Sequence, residues 1–276
     1  MGMPARRAGA GLGLYRVLAL AQLRAQMQYR GSFLLQGLAV FLGTIVDFIG
    51  IAFLFARFES IGGWRLPDVA LLYGLVNLPF ATVHLLAEGF EDFQQLIRPG
   101  SLDQLLLRPR SVFVQVLGSK LPLRQLGRLA SASLVMGLAL HWLEAPRIWT
   151  PGDWLYLAWS LAGGGLFFLG MVMLSASACF WTVESIEVAN IVTYGGTEMA
   201  SYPMHIFGTW LRRLFTYLLP LAFVSYYPAL RLLDKPDPLG LPAAMAWLAV
   251  PVCAATLAVG FGAWRLGLRH YQSTGH

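Results

Sequence analysis

The stretch FLLQGLAVFLGTIVDFIGIAFLF, residues 33–55, decides the fold class of this chain. Asp47 is its single charged residue. A helix of about 20 mostly apolar residues is long enough to cross the roughly 30 Å hydrocarbon core of a bilayer. We therefore predict that residues 33–55 form a membrane-spanning helix.

The composition of the whole chain supports the same class. Apolar residues make up 57% of the 276 residues and charged residues only 12%, whereas about 25% of residues are charged in an average soluble domain. Five further apolar runs are long enough to cross a bilayer. We expect an all-α integral membrane protein with about six transmembrane helices, at residues 33–55, 69–87, 121–142, 154–180, 214–233 and 243–264.

The chain divides into a short N-terminal segment and one membrane domain. Residues 1–31 contain Arg16, Arg24 and Arg30, which interrupt any signal-peptide core. We expect this segment to be a cytoplasmic helix lying on the membrane surface. Residues 32–276 then form the transmembrane domain, with inner loops at residues 88–120 and 182–213.

The basic residues predict the orientation of the chain. With the N-terminus in the cytoplasm, fifteen of the 20 Lys and Arg residues fall on the inner side, Arg212 and Arg213 among them. Short cytoplasmic loops normally carry such an excess. We expect both termini to be cytoplasmic, and we assign the positive charge to contacts with membrane lipids rather than with nucleic acid.

The first inner loop contains the motif RPGSLDQLLLRPRS, residues 98–111. Ser101 and Gln104 have the spacing of a helix capping box, and Pro109 disfavours helix at Arg108. The predicted short helix, about 102–107, has Leu102, Leu105 and Leu106 on one face.

A preceding helix, about residues 88–97, would present Phe90, Phe93 and Ile97 at similar spacing. The two short helices are typical of a surface that fits into the groove of a partner, and they are equally typical of helices that lie on the membrane.

The second inner loop contains Glu184 and Glu187, which would share one face of a helix. These carboxylates could meet basic residues of a partner, or they could form an ordinary solvated face.

Ionisable residues inside the spans are candidates for function because burying them in the bilayer is costly. Asp47 lies near the middle of its span, where it could line a translocation pathway or pair with a neighbouring helix. His84 is close enough to the inner end of its span to be interfacial.

The sequence contains no recognisable catalytic or cofactor motif. Gly118–Lys120 lacks the upstream glycine and the following Ser or Thr of a phosphate-binding loop. The five histidines show no zinc-ligand spacing, and no serine lies in a G-x-S-x-G motif. We therefore expect a non-enzymatic chain that binds no cofactor or metal of its own.

Four strings together resemble a known family: RPGSLDQLLLRPRS, VESIEVANIVTYGGTEMASYP, PLAFVSYYPALRLLDKPDPLG and the terminal RHYQSTGH. They are similar to the ABC-2 type permeases of ABC transporters, and in particular to the viologen-exporter-like branch. The resemblance covers nearly the whole chain.

The resemblance implies an export permease of a prokaryotic cytoplasmic membrane. Two permease subunits, identical or related, would pair with two separate P-loop ATPase subunits that hydrolyse ATP. It also implies type-2 exporter architecture with cytoplasmic coupling helices. Their residues here would be Phe90, Phe93, Ile97, Leu102, Leu105, Leu106 and Arg108, with Glu184 and Glu187 from the second loop.

The family often has re-entrant outer helices after the fifth span, and residues 229–240 leave room for a turn or two. The alternative function is an ion-coupled secondary transporter that acts without an ATPase. A third is a membrane scaffold that moves no cargo. The sequence does not identify the cargo.

Overall fold

The computed structural model describes residues 5–97, 101–144, 148–182, 185–237 and 242–271. The chain is helical within these ranges, with single 3-10 and π turns between helices. The α-helices are α1 (Ala5–Met27), α2 (Arg30–Arg57), α3 (Leu66–Glu91), α4 (Gln94–Ile97), α5 (Ser101–Leu106), α6 (Val112–Leu117), α7 (Gln125–Glu144), α8 (Pro151–Ala178), α9 (Ser185–Ala200), α10 (Thr209–Arg213), α11 (Tyr226–Leu232) and α12 (Ala249–His270).

Five helices are long and apolar enough to cross a membrane: α2, α3 with its continuation to Ile97, α7, α8 and α12. They correspond to five of the six predicted runs and confirm the predicted all-α membrane fold. The most enclosed of the five is α3, which packs against α7 and α8. Helices α8 and α12 form another extensive contact.

Glycines allow α8 and α12 to approach each other closely. A Cβ atom at Gly170 would lie 2.8 Å from the backbone nitrogen of Leu257, and one at Gly260 would lie 2.7 Å from the carbonyl oxygen of Gly170. Any larger side chain at these positions would push the two helices apart.

The two ends of the bundle differ. Helices α4, α5 and α6 lie at one end, which we call the knob end. The loop between α2 and α3, residues 58–65, lies at the opposite end. A kink at Ala87 separates the last turn of α3 from its main body. The predicted short helix of the first inner loop is present as α5, which begins at Ser101.

Helix α9 runs from the knob end to the opposite end, antiparallel to α3. The ring of Tyr194 lies 5.6 Å from that of His84, and Ser201 Oγ lies 3.5 Å from Asn77 Nδ2. Beyond the helix, His205 Nε2 contacts the carbonyl oxygen of Gly62 at 3.1 Å. These contacts advance from His84 through Asn77 to the loop before α3, so we infer that α9 and the turn after it form a sixth crossing segment.

The prediction of a span at residues 214–233 is therefore wrong. This stretch contains a π turn at Leu214–Leu218, a 3-10 turn at Leu221–Phe223 and the short helix α11. Pro220 lies at the break between the two turns, where its missing N–H cannot continue a helix.

The segment from α10 to α11 enters the bundle and leaves it on the same side. Leu221 reaches Gly196 of α9, and Val224 reaches Gly164 of α8. Lys235, which follows α11, is back at the opposite end, where its Nζ lies 2.7 Å from Asp68 Oδ2. This is a re-entrant segment longer than the turn or two expected from the sequence.

The re-entrant segment also changes the distribution of charge. The sequence predicts Arg212 and Arg213 on the inner side. They belong to α10, however, which comes after α9 has reached the opposite end of the bundle. Arg212 interacts electrostatically with His205 and Tyr226 at that end. The inner excess of basic residues is thus smaller than predicted, although its direction is unchanged.

Thiol labelling tests the crossing by α9. We expect Glu59→Cys and Thr209→Cys to react with a membrane-impermeant reagent from one side of the membrane and Leu107→Cys from the other. All three positions are exposed, and the two native cysteines are buried. Labelling of Thr209→Cys and Leu107→Cys from the same side would contradict this topology.

Candidate functional site

Four polar side chains lie along one face of α3: Asn77, His84, Glu88 and Glu91. Their spacings of seven, four and three residues are those of one helix face, with Asn77 two turns before His84. Asn77, His84 and Glu88 are buried within the chain. Polar groups inside a membrane segment are costly unless they have partners, so the helices around this polar row are expected to supply them.

Helix α7 and the turn just before it supply basic partners to the polar row. Arg124 forms a salt bridge with Glu88, and Gln125 lies 3.4 Å from the second oxygen of the same carboxylate. Arg128 Nη2 lies 3.5 Å from Asn77 Oδ1, and its guanidinium carbon lies 4.3 Å from the centre of the Phe80 ring. Two arginines, one turn apart, thus neutralise and cover the row.

His84 lies deep within the chain. Its ring centre is 3.9 Å from that of Phe80. The Nδ1 atom lies 2.8 Å from Glu91 Oε1, although the alignment does not form a hydrogen bond. The expected interfacial His84 is instead enclosed between α3 and α9.

Asp47 lies at the open edge of the polar row. The neighbouring turn of α2 is held by a 2.5 Å hydrogen bond between Thr44 Oγ1 and Ser131 Oγ of α7. Asp47 itself is exposed, and it interacts electrostatically with Glu198 of α9. Arg128 interacts with the same glutamate. The edge therefore has two carboxylates and one guanidinium.

Glu198 lies within residues 182–213, which the sequence predicts to be an inner loop. The pattern therefore gave no reason to expect this glutamate inside the membrane. The contact between α9 and α3 brings it to the same edge as Asp47.

The predicted coupling residues fall into two groups. Phe90, Phe93, Ile97 and Leu102 are buried within the chain itself. The ring of Trp264 in α12 lies 5.1 Å from that of Phe90 and 4.9 Å from that of Phe93. These side chains join the knob end to α12.

The second group is more exposed. Leu105 is half-buried, whereas Leu106 and Arg108 are exposed. Glu184 lies outside the described residues. Glu187 lies in α9, and its side chain is outside the described set.

The most exposed part of the knob end is residues 106–111, which we call the knob tip. Leu107 has 86% of its surface exposed, and Arg108 and Arg110 are exposed beside it. Gln115 holds this turn, since its Nε2 donates to the carbonyl oxygens of Leu105 at 3.2 Å and Arg110 at 3.3 Å. The sequence pattern placed Leu107 off the apolar face and gave it no role.

The N-terminal helix fastens the chain that follows the knob tip. The Nε2 atoms of Gln22 and Gln26 donate to the carbonyl oxygens of Ser119 at 2.8 Å and Leu121 at 2.6 Å. Lys120 forms a 2.5 Å salt bridge with Asp92. The knob end is therefore tied to α1 and to the end of α3.

The chain beyond α12 is tied to α5. Burial and the neighbouring Asp103 carboxylate raise the pKa of Tyr271. Its ring centre also lies 6.1 Å from that of Phe180. Helix α5 is thus connected to the chain that follows α12.

No group of His, Cys, Asp and Glu in the described ranges has the geometry of a metal site.

Comparison with known families gives one match. The family model described as ABC-2 family transporter protein matches residues 41–275. No curated protein and no solved structure matches the chain.

The salt bridge between Arg124 and Glu88 can be tested by a double-mutant cycle. We expect Arg124→Gln to lower the free energy of unfolding by about 1–3 kcal/mol, because Glu88 is left without its cation in a largely buried position and Arg124 is itself partly exposed. Adding Glu88→Gln should recover much of the loss. Additive losses in denaturation of the purified protein would contradict a direct interaction.

Proposed function

The chain belongs to the ABC-2 family of transporter proteins, and we propose that it is the permease subunit of an ATP-driven exporter. In this proposal the chain forms half of a translocation pathway, and a second permease subunit, identical or related, forms the other half. Two separate P-loop ATPase subunits bind and hydrolyse ATP. The observation that supports the proposal is the knob tip, an exposed turn whose backbone is held by hydrogen bonds from Gln115.

The knob tip has the chemistry of a protein-binding surface. Leu107 offers an apolar side chain, and Arg108 and Arg110 offer guanidinium groups that bind carboxylates in pairs of hydrogen bonds. Arginine is one of the residues enriched at the centres of protein interfaces. Gln115 keeps the backbone of this turn in place, so that little conformational entropy is lost on binding.

Buried residues behind the knob tip provide the mechanical connection. Leu102 is fully buried, and Phe93 packs against Trp264. Closely packed side chains transmit displacement because the interior has few voids. A movement of α5 driven by the ATPase would therefore be passed to α12 and α3, and a role of this kind fits Phe90, Phe93, Ile97 and Leu102 better than direct contact. Glu184 and Glu187 remain proposed as a second contact.

The pathway is proposed to run beside the polar edge formed by Asp47, Glu198 and Arg128. Exposed carboxylates at this depth are unfavourable in contact with lipid tails. A second permease subunit placed against α2 and α9 would enclose them in a polar channel. Asp47 would then face the cargo.

The orientation follows the predicted positive-inside distribution. The knob end and both termini would lie in the cytoplasm of a prokaryotic cell, and the opposite end would lie outside its inner membrane. The ATPase would meet the knob tip from the cytoplasmic side, where ATP is available.

One observation favours the second candidate, an ion-coupled transporter acting without an ATPase. His84, Glu88 and Glu91 form a row of ionisable groups within a single membrane helix, and proton relays in pumps and transporters use such rows. The salt bridge between Glu88 and Arg124 holds one of these groups in an ion pair, which is less favourable for proton transfer. The exporter is therefore the better-supported function.

The knob tip can be tested with a matched pair of substitutions. We expect Leu107→Asp to reduce binding of the ATPase subunit at least tenfold, because it places a carboxylate at the centre of the contact. Ile148→Asp is the control, since Ile148 is 91% exposed and belongs to the loop before α8. Binding is measured by co-purification and by stimulation of ATP hydrolysis. Equal binding by both variants would exclude the knob tip as the contact.

The polar edge can be tested without knowing the cargo. We expect Asp47→Cys, in assembled complexes, to react with a water-soluble thiol reagent about tenfold faster than Phe53→Cys. Both positions are exposed on α2 in the isolated chain, but only Asp47 is assigned to a water-filled pathway, where the reactive thiolate can form. Similar rates at the two positions would place Asp47 against lipid.

A further inference from the structure

A cavity of about 740 Å³ lies at the opposite end of the bundle, between α11 and the turn that precedes α12. Its volume is within the range typical of small-molecule sites. The polar lining includes Arg231, Asp234, Lys235 and Asp237, and the aromatic lining includes Tyr227 and Trp247. Neither the pathway nor the knob end uses these residues.

Arg231 is the central cation of this cavity. Its guanidinium carbon lies 4.6 Å from the ring centre of Tyr156 and 4.3 Å from that of Trp247. The two rings hold the guanidinium by cation–π contact. Its Nε atom is buried and has no hydrogen-bond partner. Arg231 is only partly buried and lines the cavity, so its guanidinium charge can attract an anionic ligand there.

The other charged side chains make the lining electrically balanced. Lys235 is held by Asp68 at 2.7 Å and by the carbonyl oxygen of Gly63 at 2.8 Å, so it is fixed rather than free to move. Asp237 Oδ1 accepts a 3.1 Å hydrogen bond from the Tyr226 hydroxyl. A carboxylate can accept several hydrogen bonds, so Asp237 can also bind a cation. The carboxylates of Asp234 and Asp237 would repel a free dianion. A zwitterionic group could instead place its negative charge near Arg231 and its positive charge near the carboxylates.

The position of the cavity specifies the kind of molecule that reaches it. Helix α12 begins at Ala249, two residues after Trp247, and Tyr156 lies in the second turn of α8. Trp247 is 55% exposed. Tryptophan and tyrosine concentrate at the level of lipid headgroups, so the cavity is open at the depth where phospholipid headgroups lie.

We propose that this cavity binds the headgroup of a zwitterionic phospholipid. The phosphate lies against the Arg231 guanidinium, and the ammonium group lies against Asp234 and Asp237. Bound lipid would brace α11 against α8 and α12 at the outer end of the chain. The site is independent of the proposed transport function.

Native mass spectrometry of the full-length protein, released from detergent, tests the site. The probes are phosphatidylethanolamine, phosphatidylglycerol, which lacks the ammonium group, and inorganic phosphate. We expect phosphatidylethanolamine to bind at least tenfold more tightly than phosphatidylglycerol, and phosphate alone not to compete. Arg231→Gln should weaken phosphatidylethanolamine binding about tenfold. Arg213→Gln, at an exposed position of the same end, should bind as the unchanged protein does.

Three results would overturn the proposal. Equal binding of the two lipids would show that Asp234 and Asp237 do not recognise the ammonium group. Competition by phosphate at similar concentration would indicate a free-anion site. Unchanged binding by Arg231→Gln, with Tm confirming its fold, would remove Arg231 from the site. If that variant does not fold, Arg231→Lys replaces it. The lysine keeps the charge and loses the planar fork, so binding that is not weakened would equally contradict the proposal.

Discussion

The structure depends on how the ionisable face of α3 is paired inside the membrane. A helix with Asn77, His84, Glu88 and Glu91 on one face would be costly to place in a bilayer alone. Arg128 of α7 and Arg124, just before it, meet this face from one side, and Tyr194 of α9 and Ser201, just after it, meet it from the other. The requirement to pair these groups fixes α7 and α9 beside α3 and makes α3 the centre of the chain.

The two ends of α3 have different consequences. At the opposite end, Asp68 binds Lys235, and Trp64 stacks on Tyr226 with ring centres 5.9 Å apart. These contacts fasten the re-entrant segment over that end of the bundle. At the knob end, the chain is fastened around a turn whose own tip remains exposed. The opposite end is thus covered by the chain itself, whereas the knob end leaves the knob tip exposed.

The sequence predicted the long apolar helices well, because hydropathy reports directly on burial in lipid. It failed where burial is supplied by protein instead. Helix α9 contains Thr193, Thr197 and Glu198, which lower its hydropathy, yet Thr193 and Thr197 are buried by the neighbouring parts of the chain. Residues 214–233 show the reverse case: they are apolar, yet they enter the bundle without crossing it. Local composition cannot distinguish these two cases.

The candidate site was predictable in outline and less so in detail. The capping pattern at Ser101 located α5, and the apolar spacing identified Phe93 and Leu102, but periodicity could not say that these residues pack against Trp264 of the same chain. Leu107 is distinguished by its exposure at the knob tip, which the sequence pattern could not give. Asp47 could be identified from the sequence, because a charged side chain in a span is costly. Its neighbour Glu198 could be identified only once the path of α9 was known.

The central claim is that this chain works with a separate ATPase and not alone. The most direct measurement is native mass spectrometry of complexes purified from the membranes of the host, combined with transport assays of the same preparation in vesicles. The account predicts an assembly of two permease subunits with two P-loop ATPase subunits, whose activity requires ATP. Transport by the chain alone, driven by an ion gradient and unaffected by ATP, would contradict it.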